Sequence, residues 1–355
     1  MRNHIVLVTG ASGFIGRHLV AALSQHFSSI RVLVRDKDKF KETSNISTHE
    51  GNITEPATLD GLCDGVWAIC HLAGYAHSDT SQDKTLNDPY TDPHWHITVD
   101  GAQNLMLLAA RSGVKKFIFI STVKTMGEGS EECLNEQSPT HPESTYGQAK
   151  LAAENMVLKI GRLQHMHTCV LRLSMVYGRD NKGNLPKMAQ AIAKHRFPAL
   201  PRLNNRRSMV HIDDVIQAIT LALQNPKARG QVYIVTDNQI YSTRAIYEAL
   251  CQGLGLSFSR FGIPFFMLKT LAFAGDVITF LRQKPFIFNS SILRKLTGSA
   301  WYSSAKIQEE LGFIPTRTLF DSIPEIIAQY QLQILRPNNN SPGNKAHAEN
   351  SATKP

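Results

Sequence analysis

Tyr146 and Lys150, in the run Tyr146-Gly147-Gln148-Ala149-Lys150, stand four residues apart. On a helix that spacing puts a phenol and an ammonium on one face. The positive charge favours the phenolate, and a phenol so placed can serve as general acid or base near neutral pH. Such a pair is common on protein surfaces, so its meaning depends on what the chain brings near it. A second constellation lies at the other end of the chain, Val8-Thr9-Gly10-Ala11-Ser12-Gly13-Phe14-Ile15-Gly16. It follows an apolar run, Ile5 to Val8, and precedes an apolar helical pattern with Leu19, Val20 and Leu23. Strand, glycine turn and helix in that order form a seat for a dinucleotide pyrophosphate. Gly10 permits the tight turn, Gly13 lets the backbone approach the phosphates, and Gly16 lets helix and strand pack closely. The anion then rests on free N–H groups at the helix N-terminus. Gly10, Ser12, Gly13, Phe14, Ile15 and Gly16 are therefore the expected cofactor contacts there, and Lys150 could reach a nicotinamide ribose.

These groups must be positioned by alternating elements. Ile5–Val8, Ile30–Val34, Val66–Leu72, Phe117–Ser121 and Thr168–Leu173 read as strands. Helical patterns lie between them, among them Val99–Arg111 and Tyr146–Leu163. The alternation predicts an α/β fold, a Rossmann-type doubly wound parallel sheet covered by helices on both faces. After about Tyr177 the elements shorten. The expected division is a dinucleotide-binding domain over 1–177 and a smaller C-terminal substrate-binding lobe over 178–333, interleaved with the first. The tail, 337–355, is rich in Asn, Ser, Pro, Gly and Lys and is expected to be disordered. Ile263 to Phe288 is unusually apolar, but Lys269, Asp276, Arg282 and Lys284 interrupt it, which makes a poor membrane span. It reads either as a pair of buried helices or as an amphipathic surface touching a membrane or a partner.

Composition narrows the function classes. The chain has 355 residues, 42% hydrophobic and 19% charged, which suits a globular protein of one large or two smaller domains. Its five cysteines are widely spaced without a CxxC pair, and its 14 histidines form no HExxH pattern. That argues for a reducing, cytoplasmic setting and against disulfides or a metal site. The net charge of +9 comes from scattered residues, with no arginine-rich arm or aromatic interleaving, so no nucleic-acid role is expected. An anionic small substrate or an anionic membrane surface explains the excess. Met1-Arg2-Asn3-His4 leads into a short apolar run that reads as a first strand rather than a signal peptide.

Taken together, the motifs resemble those of the extended short-chain dehydrogenase/reductases of the NAD(P)-dependent epimerase/dehydratase group, over roughly residues 4–332. TGxxGxxG is Thr9 to Gly16 and YxxxK is Tyr146 to Lys150. The resemblance implies an NAD(P)-dependent oxidoreductase or epimerase with Thr122, Tyr146 and Lys150 as catalytic residues. The hydroxyl is taken from Phe117-Ile118-Phe119-Ile120-Ser121-Thr122, with Ser121 as the competing choice and a substrate contact. His71-Leu72-Ala73-Gly74 matches the strand-four motif beside the cofactor, and Gly51-Asn52-Ile53 the motif bordering the adenine. Leu72, Ala73, Gly74, Asn52 and Ile53 join the expected cofactor contacts. Arg35, with Lys37 and Lys39 close behind, stands where NAD enzymes commonly carry an acid; an arginine fork suits a 2′-phosphate. NADP(H) is therefore favoured, while Asp36 keeps NAD(H) open.

Asn184-Leu185-Pro186 resembles the nucleotide-contacting segment of UDP-sugar epimerases. Arg206-Arg207-Ser208-Met209-Val210-His211-Ile212-Asp213-Asp214 resembles their R-x-x-x-H-V-x-D segment, in which the arginine, here Arg207, binds the diphosphate. Asn184, Leu185 and Arg207 are thus implied substrate contacts, with a salt bridge from Arg207 to Asp213 or Asp214 as the structural alternative. Met175 and Thr98 replace two asparagines of the family. Met175, Asn204 to Ser208 and Leu296 to Ser299 look like a subgroup acting on UDP-linked N-acetylated 6-deoxy sugars of surface polysaccharides. The implied activity is redox chemistry at C4 of a UDP-sugar, either 4-keto reduction or 4-epimerisation, in polysaccharide or lipopolysaccharide precursor synthesis. Val123-Lys124 after Thr122 departs from the acids that dehydratases carry there. A sterol- or flavonoid-type reductase would suit Met175 and the apolar segment, and a non-catalytic NADP-binding protein is a further alternative. The resemblance also implies a homodimer through two helices, one of them bearing Tyr146, and membrane contact through 263–288 stays open.

Overall fold

The computed structural model describes residues 4–75, 92–181, 183–258, 262–282, 286 and 288–335. The tail expectation for 337–355 lies outside the described residues. Seven strands form one parallel sheet: β1 (Ile5–Thr9), β2 (Ser29–Val34), β3 (Ile46–Glu50), β4 (Val66–His71), β5 (Lys116–Thr122), β6 (His167–Leu173) and β9 (Gln231–Val235). Their spatial order is β3-β2-β1-β4-β5-β6-β9, which is the doubly wound order expected. A separate parallel pair joins β7 (Met175–Tyr177) to β8 (Met209–His211).

Strand alternation explains why both sheet faces are covered. Val6, Val8, Ile118 and Ile120 point into one core, with Leu19 and Val20 of α1 (Phe14–Leu23) and Val215 and Ile219 of α6 (Ile212–Gln224). Leu7, Phe117 and Phe119 point into the other. There they meet Leu105 and Met106 of α3 (Gly101–Arg111) and Ala153 and Val157 of α4 (Thr145–Leu163). A single helical turn, α2 (Pro93–Trp95), and a wide π-helical turn, His96–Asp100, lead into α3. Two strands of the large sheet are absent from the sequence reading. β3, Ile-Ser-Thr-His-Glu, is a polar edge strand with one aliphatic side chain. β9 lies beyond the change of pattern at Tyr177, yet it pairs with β6 and brings α10 (Ala305–Leu311) back onto the sheet.

The remaining elements form a second core. Leu185 of α5 (Asn184–Ala193), Ile246 and Leu250 of α7 (Thr243–Gly253), and Ile323 and Ile327 of α11 (Leu319–Leu335) pack together. At its margin α8 (Phe265–Arg282) pairs with α9 (Ser290–Thr297). The apolar segment is not the pair of buried helices entertained from sequence. It is one long helix with only Leu268, Ala272 and Gly275 buried, because a single stripe meets Leu293, Ile263 and Phe288.

One buried ion pair ties α4 to the sheet. The Arg172 side chain on β6 donates to Glu154 on α4 through Nε at 3.1 Å and Nη2 at 2.7 Å, and the Ser121 hydroxyl on β5 donates to the same carboxylate. Removing one partner of such a pair leaves a dry charge. Arg172→Ala should destabilise the protein by about 3–5 kcal/mol in urea denaturation. The double substitution Arg172→Met with Glu154→Leu should recover most of that loss.

Candidate active site

Ser144 caps α4 by accepting from the Gly147 N–H at 3.4 Å. The helix then presents Tyr146, Lys150 and Glu154 on one face at successive turns. That face meets the C-terminal end of β5. There Thr122 stands close enough to the Tyr146 phenol to pull its pKa down, and the Thr122 oxygen accepts the Lys124 N–H at 3.3 Å. Ser121, one residue earlier on the strand, spends its hydroxyl on Glu154, two turns beyond Tyr146 on α4. The two hydroxyls that the sequence left in competition thus have different partners.

Lys150 is buried, and its ammonium donates to the Ile120 carbonyl at 2.9 Å and lies 4.8 Å above the centre of the Phe119 ring. Burial pulls its pKa down to about 8, and Glu154 one turn on opposes that fall. Burial pushes the Tyr146 phenol up to about 12, with Thr122 pulling the other way. The phenol is therefore less acidic here than the lysine spacing alone predicts. His94 was not singled out from sequence. It is buried, its Nδ1 lies 2.9 Å from the Tyr75 carbonyl, and its ring centre lies 5.8 Å from that of Tyr146. Asp92 positions it by accepting its N–H at 2.7 Å. Glu154 and Arg172 were missed as well; the signal was a glutamate eight residues after Tyr146, on the same helical face.

The glycine turn has the shape of an anion seat. Gly10 adopts φ +68°, and a Cβ there would lie 2.8 Å from the Ala73 nitrogen. A Cβ on Gly16 would collide with the Gly10 carbonyl. Gly13 precedes α1 without a side-chain cap, so the first helical N–H groups have no intrahelical partner. Ser12 and Gly13 are exposed, and Phe14 and Ile15 half-buried. The turn touches Leu72 and Ala73, which run on to Gly74, where a Cβ would lie 3.2 Å from Lys150 Nζ. The cradle and the Tyr146 face therefore meet at Gly74, and these residues would hold a nicotinamide dinucleotide. Thr98, in place of an asparagine, is buried with a hydroxyl that has no hydrogen-bond partner among the described residues. Its oxygen would lie 3.7 Å from the same Gly74 Cβ. Farther along, Asn52 donates to Glu55 at 2.7 Å, and Ile53 packs in the core with its carbonyl held by Asn104. Arg35 is exposed at the end of β2, while the Asp36 carboxylate accepts the Asp38 N–H at 3.1 Å.

On the other lobe, Asn184 is exposed at the start of α5, and the Leu185 side chain is committed to the core. The salt-bridge alternative for Arg207 is not what forms. Asp213 lies 3.6 Å from Arg317 and 3.5 Å from His211, and Asp214 accepts from Thr316 at 2.9 Å. Arg207 Nη2 instead donates to the carbonyls of Lys295 and Gly298 at the end of α9. His211 packs against Tyr177 with ring centres 5.3 Å apart. Among the described residues no cluster of His, Cys, Asp or Glu could hold a metal ion.

A family model described as the NAD dependent epimerase/dehydratase family matches residues 6–236. The chain is 26% identical over 320 residues to a UDP-glucose 4-epimerase of Vibrio cholerae, covering 88% of this chain and 92% of that one. It is 22% identical to the N-acetyl-alpha-D-glucosaminyl-diphospho-ditrans,octacis-undecaprenol 4-epimerase of Escherichia coli O157:H7, covering 93% and 96%. Among solved structures, the fold is similar to DesIV, a dTDP-glucose 4,6-dehydratase from Streptomyces venezuelae. That match has a TM-score of 0.72 at 20% identity and covers 92% of this chain and 97% of that one.

The two hydroxyls should part in mutagenesis. Thr122→Val is expected to lower kcat by about 10²-fold, the lower range for a group acting on proton transfer, and Thr122→Ser to restore most of it. Ser121→Ala should lower the melting temperature while leaving kcat within about threefold, because its hydroxyl serves Glu154. Steady-state kinetics beside thermal melts separate the two effects.

Proposed function

The chain belongs to the NAD dependent epimerase/dehydratase family, and on that premise we propose that it performs redox chemistry at C4 of a UDP-sugar, as a 4-ketoreductase or a 4-epimerase. The observation that carries the reading is that Tyr146 and Lys150 lie one turn apart on α4 against the end of β5 that carries Thr122, with the Lys150 ammonium next to Gly74 at the mouth of the glycine cradle. A bound nicotinamide dinucleotide supplies or accepts hydride at C4. Tyr146 gives the proton to O4 in reduction and takes it in oxidation. Thr122 orients O4 by a hydrogen bond, and the Lys150 charge steadies the phenolate left behind. Arg35, exposed at the end of β2, supports NADP(H) through its match to a 2′-phosphate. Arg207 and Asn184 are assigned to the nucleotide diphosphate end. Exposed Leu107 on α3 and Leu163 on α4 support a homodimer through those two helices.

A second reading keeps the chemistry and changes the carrier. The Escherichia coli relative is named for a sugar on an undecaprenyl diphosphate, and the exposed apolar side chains of α8 favour a lipid-borne diphosphate sugar here too. Both carriers present the same diphosphate to Arg207.

The test is NADPH oxidation with a UDP-4-keto-6-deoxy-N-acetylhexosamine, with NADH in parallel. Stoichiometric loss of NADPH is expected for a 4-ketoreductase; no loss of either cofactor, and no C4 epimers from UDP-hexoses or their polyprenyl counterparts, would overturn the reading. Tyr146→Phe should cut turnover by about 10²–10⁴-fold while cofactor still binds. Arg35→Ser should erode the preference for NADPH over NADH by about tenfold, the worth of one charge-assisted contact.

The pH dependence has a sign. Lys150 is cationic below about pH 8 and neutral above it. Carbonyl reduction uses the protonated phenol and the cationic lysine, so kcat/KM should be flat below that pH and fall above it. In Lys150→Arg, whose guanidinium stays charged, the residual activity should lose that fall.

A further inference from the structure

The outward face of α8 reverses the usual pattern of a surface helix. Only Leu268, Ala272 and Gly275 are buried. The opposite face carries Phe266, Thr270, Phe273, Val277 and Phe280, spaced alternately by four and three residues, so that they line one stripe. A surface helix ordinarily turns polar residues to water. Here the three phenylalanines are 69%, 69% and 75% exposed, and Leu281 beside them is 74% exposed. An apolar stripe of that extent demands an occupant. Along one edge of the helix runs an apolar groove of about 300 Å³, lined by Phe197, Leu268, Leu271 and Phe288 together with His195 and Arg196.

The charges next to the stripe identify the occupant. Lys269 and Arg282 on α8 are exposed, as are Arg294 and Lys295 on α9, which packs against it. Asp276 is the one carboxylate in the two helices, and it accepts the Ser290 N–H at 3.3 Å. The chain as a whole carries +9. Two copies meeting through this face would bring both sets of cations together, which like-charge repulsion opposes. An anionic surface does the reverse, each nearby Lys or Arg adding roughly fivefold to binding. No helix among the described residues is long and apolar enough to cross a membrane. Phenylalanines on one side, with cations at the flanks, are what a helix needs to lie in the plane of an interface.

We infer that α8 docks this protein on the surface of an anionic lipid bilayer, with the Phe266–Phe273–Phe280 stripe among the acyl chains and Lys269, Arg282, Arg294 and Lys295 at the headgroups. Docking would hold the end of α9, to which Arg207 is hydrogen-bonded, close to the membrane. The inference stands apart from the chemistry at C4, since no residue of the cradle or of the Thr122–Tyr146–Lys150 set lies on α8.

The full chain would be mixed with phosphatidylcholine vesicles, or with vesicles containing one-third phosphatidylglycerol, and floated at low and high salt. At low salt at least tenfold more protein should float with the anionic vesicles, and high salt should weaken the binding. The triple variant Phe266→Asp, Phe273→Asp, Phe280→Asp should lose at least tenfold, while its NADPH affinity, which reads the cradle and the fold, stays unchanged. Lys269→Glu with Arg294→Glu, which spares the stripe, should lose the preference for anionic vesicles. The inference is overturned if the wild type floats with neither vesicle or equally with both. It is also overturned if both variants bind as the wild type does, or if light scattering shows a dimer that the triple variant breaks and no vesicle binding.

Discussion

The Arg172–Glu154 pair is the junction on which the geometry of the site depends. It is buried between α4 and the strands β5 and β6, and it takes in the Ser121 hydroxyl as a third member. Two charges taken out of water gain little net stability over a well-packed apolar pair. What they add is direction, since a guanidinium fork and a carboxylate meet well in few orientations. Glu154 lies two turns beyond Tyr146 and one beyond Lys150, so fixing its rotation about the helix axis fixes theirs. The same carboxylate supports the charge on Lys150, which burial otherwise suppresses. Helix placement and site electrostatics thus rest on one buried group.

The glycine cradle obeys a different constraint, that of space. Gly10 is pressed against the backbone at Leu72 and Ala73, and Gly16 against Gly10. The close approach carries the end of β4 across the turn and delivers Gly74 to the Lys150 ammonium. Thr9 fastens the same crossing, its hydroxyl lying 2.7 Å from His71 Nδ1 and 3.2 Å from the Ala73 N–H. Burial, with the nearby Lys150 charge, depresses the His71 pKa to about 3, so the ring is neutral and serves as packing between Phe117 and Phe119. The cradle itself is thus held by backbone contact, and it meets the acid–base face where Gly74 lies against the Lys150 ammonium.

What could be read from sequence was what depends on local spacing. The glycines, the Tyr–Lys interval and the five central strands follow from periodicity and turn chemistry. What could not be read depends on partners distant in the chain. That the Ser121 hydroxyl is taken up by Glu154 depends on a partner thirty-three residues away. The fate of Arg207 required α9, eighty-eight residues on. β3 was illegible because an edge strand with one exposed face carries little apolar signal. For α8, composition showed an apolar segment, but whether such a face is covered is a property of neighbours, not of the segment.

Arg207 shows how the substrate lobe could respond to a ligand. The end of α9 leaves carbonyls without helical partners, and side chains from 205–207 satisfy them. Asn205 donates to Leu296 and Gly298 at 3.3 and 3.1 Å, and Arg207 to Lys295 and Gly298. Both Arg207 bonds come from Nη2. A guanidinium offers five N–H donors in a rigid fork, so holding it by one nitrogen aims the fork without consuming it. An oxyanion arriving at the other edge would add charge-assisted bonds to a group already oriented, at little further cost in side-chain entropy.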